Sequence, residues 1–93
     1  MTEKQIEAKL RNMVKSLGGR ALKFVSPGSS GVPDRLVFLP GGKIYLVELK
    51  APKGKMSLLQ QKWKREFEKL GFKYYVLNSY ESVEAFINEV QTS

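Results

Sequence analysis

The sequence predicts an α/β domain with element order α-β-β-β-α-β-α, a mixed four-stranded sheet flanked by helices. Three observations carry that expectation. Apolar residues recur at helical spacing in three separate segments. Pro40-Gly41-Gly42 stands between two strand-like runs as a hairpin signal. A strand–helix–strand succession from Lys43 to Asn78 calls for a right-handed parallel crossover.

Thr2 to Leu17 reads as the first helix, with Ile6, Leu10, Met13, Val14 and Leu17 on one face. Thr2 and Gln5 have capping-box spacing, and Gly18-Gly19 supplies the stop. Arg20 to Ser26 suggests a short strand. Pro27 to Pro33 is a loop dense in turn residues. Asp34 to Leu39 and Lys43 to Lys50 form the hairpin. In a three-residue loop, Pro40 suits the first turn position and Gly42 the left-handed one. Leu39 then pairs with Lys43, Phe38 with Ile44 and Leu36 with Leu46, and Asp34 falls opposite Glu48. After a basic loop from Ala51 to Met56, Ser57 can cap a helix running to Leu70, its stripe being Leu59, Trp63, Phe67 and Leu70. Lys73 to Asn78 is the fourth strand. Ser79 or Ser82 caps a last helix carrying Val83, Phe86, Ile87 and Val90.

At 93 residues the chain fits a single domain, 1–93. A domain this small buries only roughly 60–65% of its unfolded surface, so a partner subunit would help. The 42% apolar content, spread along the chain, argues against disorder. With no cysteine, disulfides and zinc-thiolate sites are excluded. The absence of histidine removes the commonest general base and the commonest transition-metal ligand. Catalysis must then use carboxylates, Lys, Tyr or an oxygen-liganded cation such as magnesium. The charged start Met1-Thr2-Glu3-Lys4-Gln5 is unlike a signal peptide, and no apolar run approaches membrane-spanning length, so a cytoplasmic location is expected. A net charge of +7 and a pI near 9.8 favour a polyanionic partner, nucleic acid first.

The chemistry concentrates at Pro33-Asp34 and Glu48-Leu49-Lys50. Strand alternation puts Ile44, Leu46, Glu48 and Lys50 on one face, so two ionisable groups continue a row that begins apolar. Directly opposed residues have Cβ atoms roughly 4.5–5.5 Å apart. Two carboxylates that close repel unless a proton or cation lies between them, and a divalent metal, Mg2+ or Mn2+, is the economical occupant. Lys50 projects from the same strand face and can position or deprotonate a water or neutralise developing charge. The pattern suits hydrolysis of a phosphodiester.

A Pro-Asp that opens one strand and a Glu-x-Lys that ends the next resemble the PD-(D/E)xK nuclease core, a restriction-endonuclease-like fold. Glu7 on the first helix, Gly31-Val32-Pro33-Asp34, Val47 to Pro52 and Ser57-Leu58-Leu59-Gln60 together resemble the virus-type replication-repair nuclease (VRR-Nuc) domain, from about Glu3 to Val90. The resemblance implies a metal-dependent DNA endonuclease, selective for DNA structure rather than base sequence. It implies Asp34 and Glu48 as metal ligands, with the carbonyl of Leu49 assisting and Glu7 approaching directly or through water. Lys50 would be the catalytic lysine, and Gln60 would orient the site. Standalone members are viral or bacterial and look like homodimers acting on branched DNA, with two active sites across a junction. A bacterial cell or a virus-infected bacterial host is the corresponding location.

Each residue also has an ordinary reading. Glu7 could be an exposed helix charge, Asp34 a turn residue, and Glu48 with Lys50 a strand-end ion pair. Gln60 is a common first-turn residue. Trp63, Phe67 and Leu70 read as core rather than as a base-stacking platform. Tyr74 and Tyr75 point to opposite faces of their strand. Small residues including Ser29 and Ser30 permit close approach of a phosphate backbone. Lys53, Lys55, Lys62 and Arg65, with Lys23 and Arg35 nearer the loop, are candidates for salt-dependent phosphate contacts. A catalytically silent nucleic-acid-binding module of the same fold is the alternative function.

Overall fold

A computed structural model of the protein describes residues 1–92. The chain runs α1 (Glu3–Ser16), β1 (Arg20–Lys23), β2 (Arg35–Leu39), β3 (Lys43–Leu49), α2 (Leu58–Lys69), β4 (Tyr74–Leu77) and α3 (Tyr80–Thr92). The strands form one sheet in the order β1-β2-β3-β4. The β1/β2 and β2/β3 pairs are antiparallel and β3/β4 is parallel, so the predicted order and mixed sheet are present.

The local signals act as their chemistry requires. Both capping boxes form, Thr2 with Gln5 and Ser57 with Gln60. Ser79 caps α3, its Oγ accepting from the N–H of Ser82. The hairpin loop has three residues, and Gly41 and Gly42 both adopt left-handed φ values of 88° and 75°. Leu39 therefore pairs with Lys43, Phe38 with Ile44 and Leu36 with Leu46. The first strand is shorter than the expected Arg20 to Ser26. The Phe24 N–H still donates to the Asp34 carbonyl at 3.0 Å, and the chain then leaves the sheet before Pro27.

Period-two alternation divides the sheet into unequal faces. Val37, Leu39, Tyr45, Val47, Leu49 and Leu77 face α1 and α3, which contribute Ile6, Leu10, Val14, Val83, Phe86, Ile87 and Val90. Each fully buried side chain of this kind is worth about 1.5–3 kcal/mol, so this layer holds the fold. The other face carries Leu36, Phe38, Ile44, Leu46 and Glu48 beside α2. Here the expectation of a core stripe on α2 is corrected. None of its residues is buried: Trp63 and Phe67 are half-buried, while Leu59 and Leu70 are exposed. Phe67 of the helix packs edge-on against Phe24, and with Leu36, Phe38, Ile44 and Leu46 it lines an apolar groove of about 240 Å³.

Candidate active site

The hairpin register places the site. Arg35 pairs with Val47 and Leu36 with Leu46, so Asp34, one step before β2, comes opposite Glu48 near the end of β3. An Asp34 carboxylate oxygen, Oδ2, accepts the N–H of Leu49 at 2.8 Å, which ties the carboxylate to the end of β3. Leu49 itself is anchored in the core.

Glu48 is 1% exposed. Its Oε2 accepts from the Gln60 side-chain amide at 2.7 Å and lies 3.4 Å from the Lys50 ammonium. Its Oε1 is buried and has no hydrogen-bond partner among the described residues. Burial pushes the Glu48 carboxyl up to about 7, and the nearby Asp34 charge adds to the rise while Lys50 opposes it. Gln60 links local structure to chemistry: its Oε1 accepts the Ser57 N–H of the capping box, and its Nε2 holds Glu48.

These residues fit a hard divalent cation. Two carboxylates converge, one oxygen of the buried one is orphaned, and the donors are oxygens, as magnesium and manganese prefer. Among the described residues, no group of three or more His, Cys, Asp or Glu is placed to hold a metal, so the preformed acidic constellation is a pair.

Glu7 stands apart from that pair. Its Oε2 accepts from Arg35 Nε at 3.0 Å, and Arg35 Nη1 donates to the Ala21 carbonyl at 3.0 Å. Arg35 shares its strand face with Val37 and Leu39 and is buried, so its charge is committed largely to this pair rather than presented as an open cation. Glu7 and Asp34 nevertheless line one cavity of about 270 Å³, together with Lys23.

The loop before Asp34 is pinned to α2. Trp63 Nε1 donates to the Ser30 carbonyl at 2.8 Å. Gly31 has φ +83°, and a Cβ there would lie 2.6 Å from Leu59 Cγ, so only glycine lets loop and helix approach this closely. Trp63 thus serves the loop rather than a closed core. Of the candidate phosphate contacts, Lys23 is exposed on β1 and Ser29 and Ser30 lie in this loop. Lys53 and Lys55 are exposed between β3 and α2, as are Lys62 and Arg65 on α2, with Lys62 Nζ 5.8 Å from the centre of the Trp63 ring.

Tyr74 is a site neighbour that sequence reasoning left without a role. It pairs with Leu46, on the strand face that carries Glu48, and its hydroxyl is buried with no hydrogen-bond partner among the described residues. Burial raises its pKa, with Glu48 and Asp34 the largest charge contributions. The available signal was parity: Tyr74 lies on β4 beside Leu46, two residues before Glu48.

The VRR-NUC domain family matches residues 1–81, most of the chain. The chain belongs to the VRR-NUC family. A relative from Acyrthosiphon pisum secondary endosymbiont phage 1, named "Putative nuclease p44", is 49% identical over 77 residues, covering 83% of this chain and 83% of that protein. A solved structure described as a VRR_NUC domain superposes with a TM-score of 0.87 at 31% identity, covering 95% of this chain and 97% of the other. The matched region of this VRR-NUC domain contains Glu7, Asp34, Glu48, Lys50 and Gln60.

Proposed function

We propose that this VRR-NUC domain is a magnesium- or manganese-dependent DNA endonuclease that selects branched or junction DNA by structure. The observation that carries the reading is Glu48: a buried carboxylate opposite Asp34, with one oxygen free of any protein partner and a lysine ammonium 3.4 Å from the other. Membership of the family and the name of the phage relative support nuclease chemistry.

Asp34 and Glu48 would hold the ion, assisted by the backbone carbonyl of Leu49 and by Glu7, directly or through water. When bound, the ion would supply Lewis-acid neutralisation of charge at the scissile phosphate. The chain's own groups do the rest. Gln60 and Lys50 both engage Oε2 of Glu48, which fixes the carboxylate and leaves Oε1 available. The Leu49 N–H fixes Asp34 in the same way. Lys50 would hold the attacking water by hydrogen bonding and offset charge on the phosphate oxygens. The pinned Ser30–Gly31 loop keeps Asp34 in register with Glu48.

Exposed lysines and arginines around the site read phosphates, which gives sequence-tolerant affinity suited to structure selection. A homodimer is part of the same proposal. Its support is the uncovered apolar groove beside α2, where Phe38 is 37%, Ile44 40% and Phe72 42% exposed. The phage origin of the relative fits the cytoplasm of a bacterial host.

The test is cleavage of linear, flapped and four-way DNA in magnesium, manganese or EDTA. The expected result is metal-dependent cutting, favouring branched forms, that Asp34→Ala abolishes. Full activity of Asp34→Ala would sink the assignment. Salt-dependent binding without cleavage in either metal would identify the silent binding module instead.

A further inference from the structure

We infer that the molecule carries a second nucleic-acid contact surface, a phosphate-binding groove between α1 and the edge strand β1 that leads away from the carboxylate pair. This rests on the nuclease reading above and adds to it the path of the substrate backbone.

The groove encloses about 580 Å³, and its nine lining residues include five cations and no acid: Arg11, Lys15, Arg20, Lys23 and Arg35. Arg35 is neutralised by Glu7. The other four are exposed, and none has an acidic partner among the described residues. Elsewhere on the surface, Lys9 pairs with Glu84 and Lys64 with Glu68. Four uncompensated cations around one concavity repel each other, and a polyanion relieves that repulsion.

The groove is also continuous with the site. Lys23 lines both it and the smaller cavity that contains Glu7 and Asp34. On α1, Glu7, Arg11 and Lys15 follow at i, i+4 and i+8, one row along the helix. At 1.5 Å per residue the row spans about 12 Å, enough for three or four phosphates of one strand at about 3.4 Å axial spacing. No aromatic residue lines it, so it offers phosphate contacts rather than base stacking. The basic residues of the β3–α2 loop and of α2 would then hold the substrate on one flank of the carboxylates, and this groove on the other.

The experiment is fluorescence anisotropy of labelled four-way and linear duplex DNA in EDTA across a salt series, comparing wild type with Arg11→Gln/Lys15→Gln/Arg20→Gln. At about 0.9 per lost phosphate contact, the slope of log affinity against log salt is expected to become shallower by about 2–3, with affinity at about 0.1 M salt falling roughly 100-fold or more. Arg11→Gln/Lys15→Gln, confined to the exposed ridge of α1, should lose about 2 of that slope and guards against misfolding of the triple variant. Both variants should keep the thermal shift that manganese produces in wild type. Slopes within about 0.5 of wild type, in a protein that binds and cleaves DNA, overturn the groove and leave the nuclease reading standing. A wild type that binds no DNA at low salt overturns both.

Discussion

Glu48→Gln is expected to abolish metal-dependent cleavage and, in the metal-free protein, to raise folding stability at pH 8. The two effects have one cause. Burial and the Asp34 charge push the Glu48 carboxyl up to about 7 from an ordinary 4.5. The folded chain therefore holds this proton more tightly than the unfolded chain does. The contribution to stability is fully present below about pH 4.5, declines as pH rises to about 7, and stays lost above that. A difference of about 2.5 pH units corresponds to at most about 3 kcal/mol. Glutamine carries no charge to desolvate, so the variant should melt roughly 10 °C or more above wild type in EDTA at pH 8, with the gap closing towards pH 4.5. Manganese should narrow or reverse the order by stabilising wild type alone. Losing the ion's several kcal/mol should cut cleavage about 10³-fold or more. Thermal melts from pH 4.5 to 8 with and without metal check the first part, and a variant no more stable than wild type at pH 8 would refute it.

Such a site sits where stability and function oppose each other. The core between the sheet and α1/α3 is closed and apolar, whereas the α2 face combines a buried carboxylate, an unpartnered tyrosine hydroxyl and a helix without one buried side chain. Polar groups left unsatisfied cost stability in the free protein, and the proposed cation would satisfy the free oxygen of Glu48. The Gln60–Glu48 and Trp63–Ser30 hydrogen bonds tie α2 to the sheet and to the loop, where its apolar packing is sparse.

The legible parts of the chain were those governed by local chemistry. A three-residue Pro-Gly-Gly loop allows one register, and that register alone brought Asp34 opposite Glu48. Capping boxes and the spacing of Ile6, Leu10 and Val14 were equally local. The stripe on α2 misled because helical periodicity reports a face, not what covers it. Trp63 and Phe67 lean on a loop and on Phe24, and nothing in the periodicity carries that information. The charge balance of Arg35 was missed for a different reason. Its parity with Val37 and Leu39 puts it on the core face, where a guanidinium needs a carboxylate, and the first helix offers Glu7. That inference was open to the sequence, but only once the two sheet faces had been distinguished.

The Glu7–Arg35 pair yields the second large effect. Glu7→Ala should destabilise the protein by about 3 kcal/mol, because it leaves a guanidinium that is 8% exposed with, among the described residues, the Ala21 carbonyl as its remaining partner. For a domain of this size that is a fall in melting temperature of roughly 10–20 °C. Glu7→Ala/Arg35→Met should recover most of the loss, since replacing both partners removes the unpaired charge and leaves apolar bulk beside Val37. Cleavage separates structure from chemistry. Measured at saturating DNA and at a temperature where all variants are folded, the double variant should regain stability without regaining rate, staying at least about tenfold below wild type, because Glu7 shares the cavity of Asp34 and would contribute to the proposed metal site. A double variant that cleaves at the wild-type rate would assign Glu7 to the support of Arg35 alone and reduce the catalytic set to Asp34, Glu48, Lys50 and Gln60.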